Sequence, residues 1–247
     1  MIGRPNVSAE EIGTLIEKDQ VLSAKVLRLA NSPFYGFPSR IASVAHAVVV
    51  LGLNVVKGLT LCATAFDMMR NAGMNELWRH SLGVAMTAHI LGTKAAMKNP
   101  EEVFVAGLLH DIGKVVLYVK WPDVGQRITA VTRNTSQPLM DVEQELFEVT
   151  HADVGGWLAS AWHLPTSLRE PILHHHTPAA AQDAKLQTAI VHVADVLVKG
   201  LACGNPGDDL VPPLSRQAWD LVGLDAQSLA HCLTQATEEF QTIDDYL

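Results

Sequence analysis

Alternating apolar and polar residues, the pattern of a half-buried strand, are almost absent from this 247-residue sequence. Apolar residues recur instead at helical spacing through nearly its whole length. Leu22, Val26 and Leu29 form one such stripe, with Lys25 and Arg28 on the outer side. This periodicity predicts an all-α fold, a multi-helix bundle with an N-terminal helical subdomain. Helices are expected over residues 21–30, 41–50, 53–70, 75–97 and 103–110. Further helices are expected over 122–132, 141–149, 151–162, 167–174, 184–201 and 225–240. Residues 114–119 alone would pass for a short strand, but their flanks favour helix.

Punctuation supports these elements. Ser8 followed by Glu11 reads as a capping box that opens a first helix. The run Asn31-Ser32-Pro33-Phe34-Tyr35-Gly36 ends the next helix as a loop, because Pro stops a helix and Gly frees the turn. Gly52 interrupts, and Lys98-Asn99-Pro100 closes the longest helix. Glu101 and Glu102 then fall in a first helical turn, where the macrodipole favours anions. Residues 203–213, rich in Gly, Pro and Asp, form the clearest loop. A soft boundary near residues 70–76 divides the chain into an N-terminal helical part (1–72), a core that carries the chemistry (73–203), and a C-terminal loop and helix (204–247).

Composition narrows the function. Hydrophobic residues make up 48% and charged residues 18%, so the chain buries a real core. Its formal net charge is -8, and Lys and Arg are scattered. No basic stripe of the kind phosphate neutralisation needs is present, so nucleic acid is not an expected partner. The longest apolar stretch, residues 41–56, contains His46 and Asn54 and falls short of the roughly 20 residues of a membrane span. The cysteines Cys62, Cys203 and Cys232 are odd in number, widely spaced and form no CxxC pair. With a polar, acidic start to the chain, they point to reduced thiols and a cytoplasmic location.

Eleven histidines is a high count for this length. His110-Asp111 sits inside Gly107-Leu108-Leu109-His110-Asp111-Ile112-Gly113-Lys114, at the end of an apolar run. Burying an Asp beside a His is costly unless both are paired or bound to metal. Imidazole with carboxylate suits first-row transition metals. Gly113 permits a tight bend after the pair, and Lys114 offers a compact positive charge to a phosphate. Other candidates lie on separate predicted helices: His80, His151, the triplet His174-His175-His176, and Asp195 in an apolar run. Taken singly, His80 or His151 reads more readily as a packed or surface histidine. Asp195 alone suits a buried pair with an Arg, and the triplet suits a solvated helix end. His46, His89, His163, His192 and His231 are assigned to packing or surface. Taken together, His and Asp residues on several apolar helices favour a metal site.

The spacing of His80, His110-Asp111 and Asp195 resembles the H…HD…D pattern of the HD metal-dependent phosphohydrolases. His151 with His175-His176 is similar to the extra ligands of the dinuclear HD-GYP branch, with His174 as the alternative register. The stretch DQVLSAKVLRLANSPFYG at residues 19–36, the apolar segment 41–61, and HADVGGWLASAWHLP at residues 151–165 resemble HDOD domains. The resemblance spans roughly residues 8 to 200. It implies a bacterial signal-transduction domain whose partner is a signalling protein or a nucleotide. It also implies one or two Fe, Zn, Ni or Mn ions. His80, His110 and Asp195 would bind one ion, and His151, His175 and His176 the other. Asp111 would bridge them, with Lys114 as a phosphate clamp. The alternative is an active phosphohydrolase on a phosphoester or nucleotide, with Asp111 and Lys114 as its catalytic residues. The HD-GYP branch follows its paired histidines with a DGxGYP-type loop. Here Thr177-Pro178-Ala179-Ala180-Ala181 stands in its place, which weakens the expectation of cyclic di-GMP hydrolysis. The abrupt start of the chain in its first helix raises the expectation of a longer native protein.

Overall fold

In the computed structural model, residues 16–31, 39–135 and 137–241 are described. The capping box at Ser8 and Glu11 and most of the 31–36 loop lie outside them. Among the described residues the secondary structure is helical, with no strand. The expectation of an all-α fold is met, and residues 114–119 are helical.

Among the described residues, the N-terminal part includes α1 (Gln20–Ala30), α2 (Val44–Leu51) and α3 (Leu53–Asn71). Side chains begin the first two. Asp19 accepts from the Val21 and Leu22 amides at 3.0 Å, and Ser43 accepts from the His46 amide at 3.0 Å. Gly52, at φ +85°, makes the corner between α2 and α3, a backbone geometry that favours glycine. The apolar stretch 41–56 is thereby split over two helices. Among the described residues no helix is long and apolar enough to cross a membrane.

The centre of the molecule is α4 (Asn75–Lys94), packed against α5 (Pro100–Leu109) and α11 (Lys185–Gly200). Helix α4 is buried on nearly every side from Leu77 to Gly92, as expected of a core helix and not of a surface one. It ends at Lys94, short of the expected residue 97. Ala96 turns to φ +53°, and the Met97 amide folds back onto the Gly92 carbonyl at 2.9 Å. Phe104, Leu109, Leu91 and Met86 are fully buried at this α4–α5 junction. Cys62, Cys203 and Cys232 are buried, and none of them is in a disulfide.

Around this centre run α6 (Ile112–Lys120), α7 (Pro122–Thr135), α8 (Leu139–Phe147), α9 (His151–Ala161) and α10 (Thr166–His174). Helices α7 and α8 form a small separate core of Ile128, Leu139 and Val142. Helix α9 begins with a full capping box, in which Thr150 and Asp153 satisfy each other's backbone. A short 3-10 turn at Pro178–Ala180 leads to α11. The 204–215 loop follows, then α12 (Arg216–Val222) and α13 (Ala226–Phe240). Helix α12 is absent from the sequence expectation. It has seven residues and directly follows the Pro-rich loop, so it offers too short a window for periodicity.

Candidate metal centre

Six structural elements deliver one polar cluster into this apolar interior. His80 comes from the middle of α4, His110 from the residue that closes α5, and Asp111 from the residue that opens α6. His151 is the first residue of α9, His175 follows the last residue of α10, and Asp195 lies in α11. His80, His110, Asp111, His151, His175 and Asp195 are at most 2% exposed. His176 is partly exposed.

The cluster has two lobes. The donor atoms of His80, His110 and Asp195 lie within 4.8 Å of one another, and so do those of His151, His175 and His176. Asp111 stands between the lobes. Its Oδ2 is 3.3 Å from His110 Nε2 and 3.9 Å from His80 Nε2. Its Oδ1 is 3.3 Å from His151 Nε2 and 3.7 Å from His175 Nε2. One carboxylate thus faces both lobes, each with a different oxygen. The structure brings His175 and His176 into the cluster and leaves His174 outside these groups.

The rings are held from behind. His110 Nδ1 donates to the Gly107 carbonyl at 2.7 Å, and His175 Nδ1 donates to the Ile172 carbonyl at 2.9 Å. His151 Nδ1 donates to Glu143 Oε2 at 2.6 Å. Each bond fixes a tautomer and turns an Nε2 lone pair inward, which is how proteins orient metal-binding histidines. The fit to a cation is clear in the donor atoms. His80 Nε2, His110 Nε2, His175 Nε2, Asp111 Oδ1 and Asp195 Oδ1 are buried and make no hydrogen bond. His80 Nε2 and Asp195 Oδ1 are 3.0 Å apart yet not in hydrogen-bond geometry. His151 Nε2 and His176 Nε2 face each other at 3.0 Å, where a proton or a cation must separate two lone pairs.

Electrostatics follow this geometry. Burial alone would raise the Asp111 carboxyl, but His110, Lys114 and His151 outweigh it and hold the group well below the usual carboxylate range. Asp195 is depressed in the same way, by Lys199, His80 and His110 against burial. Burial pushes His80 and His175 below the ordinary histidine value. His151 goes upward, because Glu143 and Asp111 overcome its burial. Lys114 is buried, and its Nζ donates to Asp111 Oδ2 at 2.7 Å. Its charge is therefore partly committed to the carboxylate, while its side chain lines a cleft of about 400 Å³ that reaches His151 and His176.

Two features depart from the sequence expectation. Gly113 makes no tight bend, for it is the second residue of α6. A Cβ there would lie 1.9 Å from the His151 carbonyl oxygen, so glycine is needed to let α6 and α9 touch. Glu143, fully buried on α8, was not anticipated at all. It accepts from both the His151 amide, at 2.8 Å, and the His151 ring. The signal was present: Glu143 lies on the same helical stripe as Leu139, Val142 and Leu146, where a charged residue is out of place. Of the histidines assigned to packing or surface, His46, His163 and His231 are exposed and His89 is half-buried. His192 is buried, donating to the His175 carbonyl at 2.7 Å and accepting from the Ser215 amide at 3.0 Å.

Comparison with known proteins agrees with this architecture. An uncharacterized protein of Treponema pallidum (strain Nichols) is 26% identical over 215 residues, which is 85% of this chain and 42% of that protein. The chain thus spans less than half the length of that curated relative. An HDOD domain protein of unknown function from Geobacter sulfurreducens superposes with a TM-score of 0.76 at 27% identity, over all of this chain and 89% of that one. A candidate phosphohydrolase from Shewanella amazonensis SB2B gives 0.69 at 23% identity, over all of this chain and 90% of that one, and shows the shared fold. The sequence profile of the HDOD domain matches residues 1–178, well over half of the chain, and the chain belongs to the HDOD domain family.

Proposed function

We propose that this chain is a signal-transduction domain that holds a pair of transition-metal ions and uses them to bind a phosphate-bearing ligand. One observation carries the reading: five buried donor atoms without hydrogen bonds, one of them on Asp111 itself, meet in a single cluster. Each such atom costs about 1–3 kcal/mol if nothing compensates it. A domain has only about 5–15 kcal/mol of net stability to set against that. Cations compensate all five at once.

In this reading His80, His110 and Asp195 would hold one ion and His151, His175 and His176 the other, with Asp111 serving both groups. The mixed imidazole and carboxylate set suits iron, zinc, nickel or manganese. When bound, such ions act as Lewis acids toward a phosphoryl oxygen and make water a stronger nucleophile. Glu143 fixes the His151 ring, and Lys114 balances Asp111 while turning positive charge to the cleft. The regulatory assignment is supported by membership of the HDOD family. The second reading, turnover of a phosphoester, is favoured by the cleft that reaches His151, His176 and Lys114.

Metal analysis of purified protein tests the centre. About two ions per chain are expected, falling sharply in Asp111→Ala. Substoichiometric metal, with no thermal shift on adding any of the four ions, would overturn the reading. Turnover of p-nitrophenyl phosphate by wild-type protein that vanishes in Asp111→Ala would promote the phosphohydrolase.

A further inference from the structure

A second cleft, of about 600 Å³, shares Lys114, Asp208 and Leu210 with the cleft that reaches His151. That volume lies within the range of small-molecule sites. Its walls are the start of α4, the exposed sides of α6 and α7, and the loop at residues 205–210. Lys114 lines both this cleft and the one that reaches His151. A molecule seated here therefore extends toward the ammonium group that contacts Asp111.

Its lining has a definite chemistry. Thr132 is buried, and its hydroxyl has no hydrogen-bond partner. Arg133, Glu76 and Asp209 are exposed along the same cleft. With Asp208 also in the wall, one guanidinium and three carboxylates do not favour a second phosphate. They suit groups that both donate and accept, as hydroxyls do. A nucleobase calls for a stacking surface. Tyr118 is the aromatic residue among those lining the cleft, and its ring is packed onto α7, where a Cβ on Gly125 would fall 2.6 Å from it.

We propose that this cleft seats the polyhydroxylated part of a sugar phosphate whose phosphate group lies toward Lys114 and the metal cluster. The inference rests on the proposed function, which supplies the anchor for the phosphate. Thr132 and Arg133 then read the hydroxyls, together with Glu76 and Asp209.

Calorimetric titration of metal-loaded protein with glucose 6-phosphate, AMP and inorganic phosphate tests it. Glucose 6-phosphate is expected to bind on the order of tenfold more tightly than inorganic phosphate. Thr132→Val and Arg133→Ala should each remove most of that advantage, while metal content and inorganic phosphate affinity stay unchanged. Thr132→Val should also raise the ligand-free melting temperature, because it removes a buried, unpartnered hydroxyl. Equal binding of glucose 6-phosphate and inorganic phosphate, or an advantage that survives both substitutions, would overturn the inference alone. AMP binding more tightly than glucose 6-phosphate would overturn the sugar assignment. Protein that holds neither metal nor inorganic phosphate would overturn the proposed function and this inference with it.

Discussion

Asp111 gives one oxygen to each lobe of the cluster, and the side chains behind the rings decide whether that arrangement holds. Glu143 is the most exacting of these, since it accepts from both the amide and the ring of His151. Glu143→Gln keeps the shape but loses the charge, so metal affinity should fall by about 10- to 100-fold. A chelator competition at constant helical content would measure it, and unchanged affinity would deny Glu143 an orienting role. His80, His110, Asp111, His151, His175, His176 and Asp195 were legible as a set because polar side chains in apolar helical runs are costly. Glu143 showed only as a charge on an apolar stripe, because its role depends on the packing that brings α8 to the His151 amide and ring. The register of the triplet was equally hidden. Only the way α10 ends turns His175 and His176, and not His174, toward His151.

At the scale of elements, the cluster depends on two helices whose backbones touch. Gly113 in α6 leaves no room for a methyl group against the His151 carbonyl. Gly113→Ala should therefore destabilise the fold by roughly 3 kcal/mol and lower metal affinity at the same time, because His151 must move. Urea unfolding together with metal titration separates the two effects. The turn after His176 makes a different prediction. Pro178–Ala180 is a 3-10 turn with exposed Ala179 and Ala180, and it offers almost no side-chain hydrogen bonds. Rate requires a substrate held in a reactive pose, so cyclic di-GMP should not be cleaved appreciably even by metal-reconstituted protein. Release of pGpG or GMP, measured beside Asp111→Ala, decides the point. The long helices were readable from periodicity alone. The premature end of α4 was not, because the reversal at Ala96 depends on a backbone contact to Gly92, and α12 was too short to show a period.

For the molecule as a whole, acid is the natural stress. Burial holds His80, His175, His176 and His192 below the ordinary histidine range, and His89 down to about 4. In the unfolded chain each titrates near ~6.5. Below that value the unfolded chain takes up protons that the folded chain refuses, so this stability is present above the unfolded pKa and falls on acidification. His151, shifted upward, acts in the opposite sense, with its contribution present below ~6.5 and lost as pH rises. Five groups outweigh one. Metal-free protein should therefore lose stability between pH 7 and pH 5, with fully buried His80 and His175 each contributing up to about 1.4 kcal/mol per pH unit. Urea midpoints at the two pH values, in chelator, check the sign, and a midpoint that rises at pH 5 would contradict it. The same view of the whole chain sets its recognisable part against its working part. The HDOD profile ends at residue 178, whereas Asp195, Lys199 and the loop that lines both clefts all come later. A chain trimmed to the profile would still be identified by any reader of sequences, yet it would lose Asp195, the nearer of the two carboxylates that face His80. The segment by which this protein is recognised and the segment that completes its cluster are different objects.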